Sequence, residues 1–267
     1  MPNLNFENLN HRPRHAKFIS NVLSHRNNQI QVSSVTLHLG KTVDDNESVT
    51  RILNCAFSHN VQQLAVTRSP ENTRGSPYSF IVTPMWDLPA LTKLHLYHVK
   101  LVSDDDDDSS FFSKFTNLKT LSLRRCGTKE TKVLNICHPR LSNLTLEYTS
   151  ADMEFEEVVN VVTPQLKNLT MRCCQGKHLI SAPGLTSLVI KGFHPFQLST
   201  LEGFDSLEKV HLRIYQIYKA RDYQVVSLFQ QLRSVKLLKL NLEILKVILF
   251  IMCIDLTKED TSKVLAR

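Results

Sequence analysis

The chain is poor in glycine, with seven in 267 residues, and no two are separated by a single residue. That spacing excludes the G-x-G dinucleotide fingerprint and the glycine-rich phosphate loop, both of which need closely spaced glycines to bring backbone against phosphate. There is no G-x-S-x-G elbow and no H-E-x-x-H helix. The start, "MPNLNFENLNHRPRHAKF", lacks the apolar stretch of a secretory signal. Long hydrophobic runs are missing too: "ILKVILFIMCI" (244–254) is about half of what a membrane helix needs and contains Lys246. Six cysteines stand at 55, 126, 137, 173, 174 and 253 without a pairing pattern. Reduced thiols in cytoplasm or nucleus are the expectation.

What the sequence does have is a recurring phrase. "LTKLHL" (91–96), "LKTLSL" (118–123), "LSNLTL" (141–146), "LKNLTM" (166–171) and "LTSLVI" (185–190) share the spacing apolar-x-x-apolar-x-apolar. Looser copies are "VSSVTL" (32–37), "VQQLAV" (61–66), "LEKVHL" (207–212) and "LRSVKL" (232–237), so nine copies begin 19 to 30 residues apart. In a strand, side chains alternate faces, so the last two apolar positions point the same way, and stacked copies bury one continuous face. This is the leucine-rich-repeat spacing. It predicts an α/β solenoid, a curved horseshoe with parallel strands on its concave face and irregular helices on its convex face. The helical spacing of "HAKFISNVLSH", "ESVTRILNCAF", "FEEVVNVV" and "DYQVVSLFQQL" supplies the convex elements.

The repeat also reads the paired cysteines. Cys174 follows Met171 by three residues, as Cys126 follows Leu123. That is the N/C position of the repeat, a small buried residue under the turn. Their strands lie two ladder spacings apart, roughly 9–10 Å between Cα atoms, beyond disulfide reach. Cys173 faces away from Cys174, which removes a shared zinc site, so no metal is expected. His95 and His98, read as three apart on one strand, face opposite sides and do not chelate one ion. "NES" and "NLT" at 143 and 168 match glycosylation acceptors, but the last two fall inside repeat strands and recur because the repeat recurs, and "SDDDDDSS" (103–110) is a solvated insertion.

Three phrases are more particular. "HPRLSNLTLEY", "TPQLKNLTMRCC" and "APGLTSLVIKGF", following "RILNCAFSHNVQQLAV", resemble plant F-box leucine-rich-repeat proteins, including those with an FBD tail. "MPNLNFENLN" looks like the last residues of that family's F-box. The resemblance runs over about residues 2–240 and implies a substrate-recognition subunit of a Skp-cullin-F-box ubiquitin ligase. It also implies binding to a Skp-type adaptor through F-box helices, which here would have to precede "PNLNF". No FBD-like segment follows residue 240. The expected organisation is an F-box remnant and capping helix over 1–30, the repeats over 31–240, and a capping helix and tail over 241–267. The apolar "LLKLNLEILKVILFIMCIDL" either caps the last repeat or covers something further.

The expected function is therefore a non-enzymatic protein-interaction scaffold without cofactor. The alternative is an extracellular or receptor-type ligand-binding repeat, weakened by the missing signal and cap cysteines. The outward residues of the concave face are the candidate contacts: His95, Tyr97, Ser122, Arg124, Thr145, Thr170, Arg172, Lys191, His211 and Arg213, with Lys236 in the last copy. Net charge is +7, and +12 without the five aspartates at 104–108. A basic stripe of this kind fits an acidic or phosphorylated protein segment. Nucleic acid is a poorer fit, since the expected face lacks a run of stacking aromatics, and no membrane contact is expected.

Overall fold

The computed structural model describes residues 3–9, 21, 32–40, 60–68, 81–82, 88–101, 111–128, 133–147, 158–174, 176–192, 197–200, 203–215, 228–232, 235–246 and 248–249. In chain order the first strands are β1 (Asn3–Leu9), β2 (Ser34–Leu39), β3 (Gln63–Arg68), β4 (Ile81–Val82), β5 (Lys93–Tyr97) and β6 (Lys100–Leu101). Next come β7 (Thr120–Arg124), β8 (Gly127–Thr128), β9 (Val133–Cys137), β10 (Asn143–Glu147), β11 (Val158–Val162) and β12 (Asn168–Arg172). The last are β13 (Lys177–Ser181), β14 (Ser187–Gly192), β15 (Gln197–Thr200), β16 (Lys209–Ile214) and β17 (Leu237–Leu240).

Ten strands form one parallel sheet in the order β1-β2-β3-β5-β7-β10-β12-β14-β16-β17. Parallel neighbours require a crossover, and the crossovers from β7 to β16 each carry a strand of a second parallel sheet, ordered β15-β13-β11-β9. A third sheet of two-residue strands, β4-β6-β8, lies on the earlier crossovers. The class is α/β with mostly parallel strands and little helix among the described residues.

Burial follows the phrase. Its nine opening residues, Val32, Val61, Leu91, Leu118, Leu141, Leu166, Leu185, Leu207 and Leu232, are all buried. So are the second and third apolar positions of the first eight copies. They share one hydrophobic cluster with Leu134, Ile136, Val159, Val161, Ile180 and Leu198 of the second sheet, so the core lies between the two sheets. The turn before each strand is set by local chemistry. Pro89, Pro164 and Pro183 hold the first central position of a β-turn closed by Leu91 N–H to Leu88 O, Leu166 N–H to Thr163 O and Leu185 N–H to Ala182 O, each 3.0 Å. Gly184 lies so close to the preceding turn that a Cβ there would sit 3.0 Å from the Pro164 carbonyl oxygen.

Three expectations are corrected. "FEEVVNVV" does not form a helix over its described part: Val158–Val162 is strand β11, with Val159 and Val161 buried. Four of its five residues are valines, which are β-branched and fit a pleated surface better than a helix. Asn160 Nδ2 donates to Asn135 Oδ1 on β9 at 3.1 Å, linking the outer strands. Where helices were expected between the repeat strands, residues 133–200 carry instead the four strands β9, β11, β13 and β15 of a second sheet. Residues 3–9, within the segment expected to hold an F-box remnant and a capping helix, form β1, paired with β2, which does not test that expectation. The ninth phrase slips: β17 begins at Leu237, and Lys209, Val210, His211 and Leu212 face Leu237, Leu238, Lys239 and Leu240. Lys239 rather than Lys236 therefore holds the outward position.

"DYQVVSLFQQL" is helical where described, over 228–231, and residues 242–246 are helical. "HAKFISNVLSH" apart from Asn21, "ESVTRILNCAF", the "NES" site, "SDDDDDSS", Cys55 and Cys253 lie outside the described residues.

Candidate protein-interaction face

The open side of the ten-stranded sheet is built from the residues between the buried ones. Because the ladders hold register, these residues align in rows across the strands. One row is His95, Ser122, Thr145, Thr170, Val189, His211 and Lys239, and the next is Tyr97, Arg124, Glu147, Arg172, Lys191 and Arg213. All ten candidate contacts fall in these two rows. Ser122 is 8% exposed and so contributes only the floor of the face. Thr67, His95, Leu96, Tyr97, Ser122 and Arg124 line a shallow depression of about 440 Å³.

The basic stripe is not uniform. Glu147 receives both prongs of Arg124, Nη2 to Oε1 at 3.1 Å and Nε to Oε2 at 3.0 Å, while Arg172 Nη1 lies 3.9 Å from the same Oε2. Arg124 also lies over the Tyr97 ring, 5.8 Å from its centroid. Its fork is thus occupied within the protein, a pairing that spacing alone does not reveal because it depends on side-chain geometry across strands. Further along, Arg213 lies over Tyr215 at 5.4 Å. Burial, with Lys191, Lys239 and Arg213 adding to it, holds the His211 imidazole below the usual histidine range. Burial, then Lys93, lowers His95 in the same way. Lys236, off this face, bridges Glu208 at 2.9 Å, and that hydrogen bond lowers the Glu208 carboxyl.

The cysteines pack. Cys126 and Cys174 are buried; the Cys126 thiol sits 3.4 Å from Leu96 O and the Cys174 thiol 3.5 Å from Leu146 O, each reaching the strand before its own. Burial pushes the Cys126 thiol up to about 12, far from thiolate chemistry at neutral pH. Cys173 has a positive φ of 51°, which turns the chain out of β12. His98 and Arg125 hold the same post-strand position with φ of 57° and 50°. His98 therefore lies beyond β5, buried, while His95 stands on the open face. Among the described residues no group of three or more metal-ligating side chains occurs. Asn143 and Asn168 join in a side-chain hydrogen bond of 2.8 Å inside the ladder.

The chain matches no family model, no curated protein and no solved structure. Among the described residues no helix is long and apolar enough to cross a membrane.

Proposed function

We propose that this chain is a non-enzymatic leucine-rich-repeat scaffold that presents the open face of its long sheet, as the concave side of a curved solenoid, to a protein partner. Its repeats resemble those of plant F-box proteins, and in that role the partner is a substrate handed to a Skp-cullin ubiquitin ligase in cytoplasm or nucleus. The observation that supports this most is the in-register ladder itself. Parallel strands whose buried opening phrases recur every 19 to 30 residues leave rows of mostly polar and charged residues facing outward from β5 to β17. Side chains fixed on strands make a preorganised surface, which lowers the cost of ordering a partner.

Purified Skp-type adaptor, pulled down with this chain and with a version carrying an F-box ahead of Pro2, tests the ligase role. Capture only by the F-box version is expected. Failure of both versions to capture adaptor overturns the ligase role.

A further inference from the structure

We propose that the β14–β17 end of the open face is an anion-binding pole, in which Lys191, His211, Arg213 and Lys239 receive closely spaced acidic groups of an extended partner segment. The proposal rests on the reading of this face as a protein-docking surface and names the chemistry of what docks there. Lys191 stands opposite Arg213, and His211 opposite Lys239, in two adjacent rows. Strands lie roughly 4.8 Å apart and alternate residues roughly 6.8 Å, so the four groups share a patch about 10 Å across. Lys209 extends it along β16, where its side chain is also exposed.

The patch differs from the rest of the row in what answers its charge. Glu147 serves Arg124 and Arg172 at the middle of the sheet. Among the described residues no carboxylate bridges Lys191, His211, Arg213 or Lys239. A concentrated positive field without an internal counter-charge attracts anions, and an extended peptide repeats its side chains at the sheet's own spacing. Arg213, steadied over Tyr215, keeps a planar N–H fork suited to carboxylate or phosphate. Carboxylates and phosphates share this chemistry, and the peptide arms of the test tell them apart.

His211 gives the pole a second property. The charged groups facing it are all cations: Lys209 and Arg213 on its own strand, Lys191 from β14 and Lys239 from β17. Burial first, and then Lys191, Lys239 and Arg213, hold the free imidazole below the usual histidine range. An anion bound among them reverses the local field and draws a proton onto His211, so binding and proton uptake are linked. Affinity for an acidic segment therefore rises as pH falls from 7.5 to 6.0.

The test is fluorescence anisotropy of the full chain with three labelled peptides of equal length: aspartate-rich, phosphoserine-bearing and uncharged. The aspartate peptide carries the pH comparison, because its groups do not titrate between 6.0 and 7.5, whereas phosphoserine does. Expected is binding of one or both acidic peptides over the uncharged one. For the aspartate peptide, affinity should be about fivefold higher at pH 6.0 than at 7.5. His211→Gln should keep binding at pH 7.5 and lose the pH effect. Lys191→Ala with Lys239→Ala should weaken binding at least about tenfold, while Lys119→Ala with Lys167→Ala, exposed lysines outside these rows, should not.

The proposal is overturned by equal binding of all three peptides, by equal losses in both lysine pairs, or by a pH effect that survives in His211→Gln. A single-stranded oligonucleotide that displaces the peptides at lower concentration than they displace each other overturns it as well. The adaptor pull-down does not involve these residues, so failure of either experiment leaves the other standing.

Discussion

The middle of the long sheet, β7 to β12, and its last strands, β16 and β17, are made from the same phrase and end up different. In the middle, every requirement is met by a neighbouring copy. The leucines are covered on both sides, Asn143 accepts from Asn168, the cysteine thiols reach the previous strand's carbonyls, and Glu147 answers two arginines. At the end, Leu237, Leu238, Leu242, Leu245 and Leu249 are 39–64% exposed and the cations around His211 have no described carboxylate partner. A stack satisfies its interior from within, whereas among the described residues β17 has a strand neighbour on one side only. The end is where unsatisfied apolar surface and charge collect.

The largest effect that sharpens this contrast is on stability. Leu144, 1% exposed between β7 and β12, should cost about 3 kcal/mol when changed to alanine, through lost transfer energy and the cavity left behind. Leu238, 39% exposed on the terminal strand, should cost less than about 1 kcal/mol. Urea denaturation of the two variants measures both. Equal losses would mean that the end of the stack is as tightly packed as its middle.

The same contrast decides how much was legible in the sequence. The inward phrase is fixed by period and burial, so eight of its nine copies can be placed to the residue. The last slips by three because "LRSVKLLKL" offers two overlapping matches, and a strand with one neighbour does not enforce the better-buried one. "FEEVVNVV" is ambiguous for a different reason. Phe155, Val158, Val159 and Val162 satisfy the helical spacing, while Val159 and Val161 satisfy alternation, and a run this short fits both. The parallel strand beside it decides. On the open face the row positions were readable, but not which charges cancel. The fork of Arg124 on Glu147 depends on rotamers across two strands, and the prominence of Lys239 depends on the slipped register.

Acid should reach the interior next. His178 on β13 is fully buried, and burial lowers its imidazole to about 4 from the usual 6.5, partly offset by a hydrogen bond to the Gly176 backbone. His138 is also lowered, mainly by burial. Its Nε2 lies 2.9 Å from Phe115 O, and its Nδ1 accepts from Arg140 N–H at 3.1 Å, an arrangement that fixes the neutral tautomer with the proton on Nε2. A histidine with a depressed folded pKa binds fewer protons folded than unfolded between the two values. Its contribution is therefore complete above about pH 6.5 and is lost as pH falls toward 4. Stability should drop by about 2–3 kcal/mol from pH 7 to pH 4.5. His178→Leu should flatten most of that slope in urea titrations. An unchanged slope would place the acid sensitivity elsewhere.

The smallest effect is the most specific one. Glu147 is the group that makes the middle of the row neutral, so removing its charge should turn the middle into something like the end. Glu147→Gln keeps the side chain's shape and one acceptor for Arg124. Because Arg124 is about half exposed, the expected stability loss is below about 1 kcal/mol. Freed of their carboxylate, Arg124 and Arg172 join Lys191 and Arg213 in a continuous cationic row across β7 to β16. An aspartate-rich peptide should then bind a few-fold tighter, and more steeply with falling salt, while the pH effect of His211 stays as it was. Unchanged affinity would mean that the acidic segment ends before reaching β12. Weaker binding would mean that Glu147 holds the two arginines in the geometry the partner needs, and the middle of the face would then be a positioned contact rather than a cancelled one.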